Sequence, residues 1–249
     1  MQKSATFTAI LFFLLVQASQ GQISVGFRGG LLLTNVDKSP LEQNEPTPEN
    51  LTSFQLAVPF EIGLGQVFAI QPELMLGSHG AFQEATTITE QPGVKTTTYF
   101  KSKYQVAAFE IPVLAKLKLG TEHFKVHVLA GPSIGFGLNG TLKQESKITI
   151  ESILGNLVDE SAGDYKAKFV GDNYDPKTLK GNEFAVSKVN LNLHLGAGLS
   201  FQIGGPWVTL EARYMAGLSD LRPESSDETT NYTYTSKRLG ISVGLMFPL

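Results

Sequence analysis

The sequence predicts an all-β chain: an eight-stranded antiparallel up-and-down transmembrane β-barrel with short periplasmic turns and long extracellular loops. Three observations carry that expectation. Residues 189–203 read V-N-L-N-L-H-L-G-A-G-L-S-F-Q-I, an unbroken alternation of apolar and mostly polar positions. A strand sends successive side chains to opposite faces, so this stretch has one oily side and one polar side. It exceeds the usual strand of about 5–6 residues and satisfies the roughly 9–11 tilted residues that cross a bilayer. Further, the connections between such stretches alternate long and short, the rhythm of a barrel with both termini in the periplasm. Finally, the apolar faces carry no Asp, Glu, Lys or Arg, while the opposite faces do.

Composition agrees. The chain has 249 residues, enough for one large β domain, and a formal net charge of -3, which gives no case for nucleic acid. Cysteine is absent, which excludes disulfides, thiolate metal sites, cysteine nucleophiles and a lipoprotein anchor. The 25 glycines and 16 phenylalanines suit tight turns and an aromatic girdle. Mean hydropathy is near zero, as expected when every span is half polar. Residues 1–21 read as a secretory signal peptide: Lys3, an apolar centre over 9–16, then small residues up to Gly21. The barrel domain then occupies 22–249.

The strands follow in order. The first, 22–35, sets Ile23, Val25, Phe27, Leu31 and Leu33 against Ser24, Gly26, Arg28, Gly30 and Thr34. Residues 37–50, rich in Pro, Glu and Asn, form a loop. Strands at 53–64 and 67–79 flank the tight turn Gly63-Leu64-Gly65-Gln66 and point Glu61, Glu73 and His79 to the polar side. Residues 80–98 read as a second polar loop. The fourth strand, 99–119, opposes Phe109, Ile111, Val113 and Leu117 to Glu110, Lys116 and Lys118. A short turn at 120–123 leads to the fifth, 124–138, which sends Lys125 and His127 to the polar side. Residues 139–183 are the longest connection, with a short helical piece expected around 150–158 and an irregular second half. The sixth strand starts near Phe184 and runs through 189–203, carrying His194. The seventh, 207–219, opposes Leu210, Ala212 and Tyr214 to Glu211 and Arg213. Residues 220–231 are a fourth polar loop, and the eighth strand runs from 232 to the end with Arg238 on its polar face.

Magnitudes set the orientation. A Lys or Arg facing lipid at the midplane costs about 2–4 kcal/mol. The reverse arrangement, a soluble barrel, would have to enclose the entire apolar set, whereas eight strands leave room only for packed side chains or one small ligand. The polar faces therefore point inward. Arg28, Glu61, Glu73, Glu110, Lys116, Lys118, Glu211, Arg213 and Arg238 form an interior charge network, since buried charges must be paired. A packed network plugs the lumen; an open one would line an ion path.

Other constellations carry less. His79, His127 and His194 all face the lumen, yet their spacings are long and no acid partner is evident, so they read as isolated hydrogen-bonded histidines rather than a zinc site. No G-x-S-x-G or similar nucleophile signal is present, so the chain reads as a non-enzyme without a cofactor. Gly26 to Gly30 and Gly131 to Gly137 open no helix and so cradle no phosphate; they relieve crowding inside the barrel.

Six segments carry a family resemblance: F-R-G-G-L-L-L-T-N at 27–35, P-E-L-M-L-G-S-H-G at 72–80, F-E-I-P-V-L-A-K at 109–116, V-L-A-G-P-S-I-G-F at 128–136, L-E-A-R-Y-M-A-G-L-S-D-L at 210–221 and L-G-I-S-V-G-L-M-F at 239–247. In that order they resemble the PorT-like outer-membrane β-barrel family of Gram-negative bacteria, over essentially the whole of 22–249. The ending Phe247-Pro248-Leu249 departs from a single aromatic terminus but resembles the strand that barrel-assembly machinery reads. The resemblance implies an eight-stranded barrel in the outer membrane, surrounded by its lipid. The family's named member is associated with protein secretion. The expected role is binding or envelope structure by a monomer, with a protein or glycan partner at the loops 37–49, 139–183 and 220–228. A small-solute or ion conduit, and an accessory of a secretion system, are the alternatives.

Overall fold

The computed structural model describes residues 23–40, 48–225 and 232–249. The signal segment, and parts of the first and fourth loops, lie outside these residues. Ten strands form one sheet: β1 (Ile23–Ser39), β2 (Leu51–Leu64), β3 (Phe68–Gln91), β4 (Val94–Gly120), β5 (Phe124–Ser152), β6 (Gly155–Val170), β7 (Glu183–Ser187), β8 (Val189–Gln202), β9 (Trp207–Gly217) and β10 (Thr233–Pro248). Eight of them close a ring in the order β1-β2-β3-β4-β5-β8-β9-β10, with β10 returning antiparallel onto β1. The eight-stranded antiparallel barrel expected from the sequence is the fold observed. Closure pairs every spanning strand on both sides, which hydrocarbon demands because it offers no water to an orphaned backbone group.

Side-chain direction follows the alternation. On β8, Val189, Leu191, Leu193 and Leu195 are exposed while Asn190, Asn192 and His194 are buried. Phe54 is 75% and Leu56 64% exposed, whereas Arg213 and Arg238 are each 1% exposed. Grease faces outward and ions face the axis. Near the periplasmic end the Phe124 and Phe201 rings meet on the outside with centroids 5.0 Å apart. At the same end Lys125 Nζ sits 4.6 Å from the centre of the Trp207 ring.

Three expectations need correction. Residues 80–98 are not a loop: β3 and β4 continue through them and meet at a two-residue turn, Pro92-Gly93. Gly93 has φ +80°, and Pro followed by Gly is the residue pair a type II turn requires. Residues 150–158 hold no helix: β5 and β6 pair without interruption from Ser152↔Gly155 to Thr141↔Lys166. Alternating Ile148, Ile150 and Leu157 supply a period of two rather than 3.6. Third, the second half of the long connection is strand as far as Val170, and only 171–182 is irregular, with a single 3-10 turn at Pro176–Thr178. The first strand also runs four residues further than expected, to Ser39.

β3, β4 and β5 therefore have 24, 27 and 29 residues, more than twice the roughly 9–11 that span a bilayer. Their upper halves, with β6 beside β5, form a sheet that projects beyond the barrel. A bulge marks the transition. Ala107 pairs with Asn139 and Ala108 with Gly137, leaving Leu138 without an opposite residue. The extra residue shifts the phase of β5: odd positions (His127, Ser133) face inward below it and even positions (Gly140, Leu142) face inward above it. β7 then joins β6 in parallel, from Lys166↔Glu183 to Val170↔Ser187, and leads into β8.

The orientation yields a test. Leu195→Arg, at mid-strand on the lipid face, is expected to lower stability by about 2–4 kcal/mol, while Leu195→Phe changes little. Unfolding from vesicles, followed by the fluorescence of the single tryptophan, Trp207, measures both.

Candidate functional site

Inside the barrel the charged side chains stack in three groups along the axis. At the centre Arg28 of β1 and Arg213 of β9 bridge Glu73 of β3 and Glu211 of β9. Arg28 donates to Glu73 Oε2 at 2.8 Å and to Glu211 Oε1 at 2.7 Å. Arg213 donates to Glu73 Oε2 at 2.8 Å and to Glu211 Oε1 at 2.6 Å. The result is a closed ring of alternating charge in which each carboxylate serves both guanidiniums. The planar fork of arginine supports such bidentate pairing where a lysine would not. His127 Nε2 lies 3.4 Å from Glu211 Oε2 and its Nδ1 contacts Ser200 Oγ at 3.3 Å.

On the periplasmic side Lys116 donates to Glu61 at 2.9 Å and to Gln71 Oε1 at 2.9 Å, and Lys118 also donates to Glu61. Gln71 passes the chain of bonds on, its Nε2 donating to Glu73 Oε1 at 2.6 Å. On the extracellular side Arg238 grips Glu110 with both Nη atoms, one to Oε1 and the other to Oε2 at 3.1 Å. Ser133 and Asn192 also donate to Glu110, and His194 Nε2 lies 2.9 Å from Ser133 Oγ. Beside the Arg238–Glu110 pair lies an apolar cluster of Leu32, Ala57, Met75 and Met215, none more than 5% exposed, with Met75 across from Glu110 and Met215 across from Arg238. Met75 and Met215 occupy the next inward positions above Glu73 and Arg213, so the cluster follows from strand periodicity alone.

All nine charged residues singled out in the sequence thus lie in one continuous interior. Four carboxylates meet five cations, each in an ion pair. The histidines differ from expectation: His127 and His194 do have acid neighbours, Glu211 and Glu110, supplied by strands distant in sequence. His79 stands apart, its Nε2 buried without a hydrogen-bond partner. Among the described residues no cluster of three ligating side chains could hold a metal. Glycines make room where the interior is most crowded. A Cβ on Gly198 would lie 2.6 Å from His127 Nε2, and one on Gly240 would lie 2.6 Å from Gln55 Nε2.

Above the plug the lumen opens into a vestibule, a cavity of about 690 Å³. Its walls include Tyr104 and Phe100 of β4, Ala85 of β3, Leu142 of β5, Phe184 of β7 and Tyr234 of β10. Tyr104 stands over the floor, its ring 6.3 Å from that of His79, and meets Phe184 edge-on at 5.9 Å. Here the inner face has changed character. Among the described residues of the projecting sheet, Asp159 is the one charged side chain on the inner face. The outer face carries Glu84, Lys101, Lys103, Lys143, Glu145 and Lys147, among others. Within the bilayer the inside is ionic and the outside apolar; beyond it the pattern inverts. The chain keeps its alternation while the solvent on the outer side changes from lipid to water. The signal is present in the sequence as Ala81, Ala85, Phe100 and Tyr104 alternating with Glu84, Lys101 and Lys103, and it is invisible when 80–98 is read as a loop.

Removing one member of the central ring should be costly. Arg213→Met leaves two carboxylates with one guanidinium and is expected to destabilise by roughly 3–5 kcal/mol. Pairing it with Glu211→Leu should recover part of the loss. Chemical unfolding in vesicles measures the difference.

The comparison with curated proteins yields no match. Among solved structures, the chain is similar to Neisserial surface protein A at 9% identity, over 90% of this chain and 97% of that one, with TM-score 0.42. It is similar to OprG of Pseudomonas aeruginosa at 10% identity, covering 90% and 95%, with TM-score 0.41. It is similar to Ail, the attachment invasion locus protein of Yersinia pestis, at 11% identity, covering 91% and 99%, with TM-score 0.32. The family model described as outer membrane protein beta-barrel domain matches residues 17–222. With that match spanning most of a chain whose spans put lipid-compatible side chains outside and ion pairs inside, the protein belongs to the outer membrane protein beta-barrel domain family.

Proposed function

We propose that this chain is a binding protein of the outer membrane, with a sealed barrel as pedestal and the extracellular vestibule as the site of capture. One observation carries the reading: a cavity of about 690 Å³, walled largely by apolar and aromatic side chains, sits directly above a lumen filled with paired charges. Its volume falls in the range of roughly 300–1,000 Å³ typical of small-molecule sites. The largely apolar and aromatic walls favour a ligand with an apolar or aromatic body. Thr98 and Ser102 offer it hydrogen bonds, and the cations Lys38, whose ammonium lies 4.0 Å from the Tyr232 ring centre, and Arg222 also line the cavity.

A conduit would need a continuous polar path through the barrel. The interior side chains locked in ion pairs across the axis, with the buried cluster of Leu32, Ala57, Met75 and Met215 beside them, argue against one. On this reading residues 1–21 direct export, the barrel acts as a monomer without catalytic chemistry, and a partner engages the parts outside the membrane. An accessory role in secretion, which the PorT-like resemblance implies, is compatible with a partner there.

Two measurements test the reading. Protein reconstituted in planar bilayers should give no large steady single-channel current. In vesicles, a neutral aromatic compound present at 100 times its dissociation constant should stabilise the fold by about 2.7 kcal/mol. Tyr104→Ala and Phe184→Ala should each weaken its binding about tenfold or more, given the roughly 1.5–3 kcal/mol that a buried large side chain contributes. Steady conductance, or no stabilisation across a panel of neutral compounds, would sink the proposal.

A further inference from the structure

The outer edge of β6 is a strand left half used. On one side β6 pairs with β5 along its upper length. On the other, β7 occupies only Lys166–Val170. Residues 155–165 have no strand partner on that side among the described residues.

The ladder register tells which backbone groups face outward. Ser152↔Gly155 closes the two-residue hairpin turn, so it exchanges hydrogen bonds, and such pairs recur at every second position. Gly155, Leu157, Asp159, Ser161 and Gly163 therefore spend their N–H and C=O on β5. Asn156, Val158, Glu160, Ala162 and Asp164 point theirs to the open edge. Lys166, next in that even series, confirms the direction, since its N–H donates to the Asn182 carbonyl at 2.9 Å, one residue before β7. The chain itself already adds a strand to this edge, at its lower end.

Edge strands are normally defended by Pro, Lys, a bulge or a short length. Residues 155–165 contain no Pro and no Lys, and their register with β5 has no shift. They end at a hairpin tip, Ile153-Leu154, that is 90% and 95% exposed. Their charge is one-sided: Asp159, Glu160 and Asp164, with no cation in the segment. Glu160 and Asp164 are answered from β5, by Lys147 at 2.5 Å and Lys143 at 3.5 Å. Asp159 is not: the residue across from it on β5 is Ile148, and it makes no ion pair among the described residues. Two copies of this edge would set like charges against each other, which disfavours self-pairing.

We propose that β6 residues 155–165 are a strand-addition site for an extended peptide segment of a protein partner. The segment carries a basic side chain that sits across from Asp159. Backbone ladder bonds supply the affinity and the cation supplies the register, which is how sheet-edge recognition divides its labour. The added strand would continue the line of β7 upward, broadening the projecting sheet, whose inner face, with Asp159 as its one charged side chain among the described residues, overlooks the vestibule.

The test uses the full chain in vesicles and a fluorescent eight-residue peptide alternating Thr and Val with one central Lys. Saturable binding is expected, with an affinity that falls several-fold for Asp159→Asn, as a cross-strand charge pair dictates. Ala162→Pro removes an edge-facing N–H without touching the ladder to β5 and should abolish binding. The same peptide N-methylated on alternate residues should also fail against the unaltered protein, which keeps the test decisive if Ala162→Pro does not fold. Absence of saturable binding, or equal binding of the methylated peptide, overturns the proposal. Capture of neutral compounds in the vestibule is independent of both outcomes.

Discussion

Arg28 and Arg213 between Glu73 and Glu211 are the constraint on which the barrel depends. An eight-stranded ring is narrow, and its inner face is shut away from both lipid and bulk water. Any charge placed there must find its opposite within a few ångströms or carry an uncompensated desolvation cost. The ring meets this condition with four groups drawn from β1, β3 and β9, so strands on different sides of the barrel are tied across the axis. The ties then propagate: Gln71 hands the network down to Lys116 and Glu61, while Glu110 and Arg238 form a separate clamp beside the apolar cluster. A register slip of one residue in β3 or β9 would turn Glu73, or both Glu211 and Arg213, toward lipid. The interior pairs thus specify the same register that the outer leucines demand.

That agreement ends where the bilayer ends. Beyond it the outer face must carry charge, and the inner face is free to be apolar. The strands adapt by changing residue types while keeping their phase on β3 and β4. On β5 they adapt by the bulge at Leu138, which hands the inward role from Ser133 and Gly137 to Gly140 and Leu142. Small inward residues at the junction accommodate what descends onto it: the Phe169 ring occupies the space a side chain on Gly137 would need. The vestibule is the consequence, a space left where an ionic plug stops and an apolar lining begins.

How much of this is legible in the sequence follows from the same physics. The eight spans are legible because lipid on one side and ion pairs on the other impose a contrast that repeats at every second residue. Even the members of the interior network can be picked out, since charge on a spanning strand has one direction to face. Their pairing is not legible: Glu211 meets Arg28 across 183 positions of sequence, and nothing local in either strand announces the other. The projecting sheet is legible in part and easily missed. Its threonines and charges resemble loop composition, because both faces of an extramembrane sheet tolerate polar residues. The period of two in Thr87, Thr89, Thr96 and Thr98, with Pro92-Gly93 between, is the surviving mark of a hairpin. The same ambiguity makes 150–158 read as helix, where three β-branched or apolar residues spaced for a strand were enough to extend β5 and β6 instead.

The two regions also divide the burdens of stability and recognition. Within the membrane each spanning strand is paired on both sides and the charged network's cations are engaged in ion pairs, so little is left to offer a partner. Outside it, the sheet keeps its strands together by ladder bonds and a few exposed ion pairs, such as Lys147 with Glu160, that contribute at most about 1 kcal/mol each. A sheet held so lightly gains from any strand that completes it, whereas the barrel below, already closed on itself, gains nothing. Binding at the extracellular end therefore need not disturb the seal. In the proposed reading, a lumen filled with paired charges lets the vestibule hold a ligand without offering it a way through.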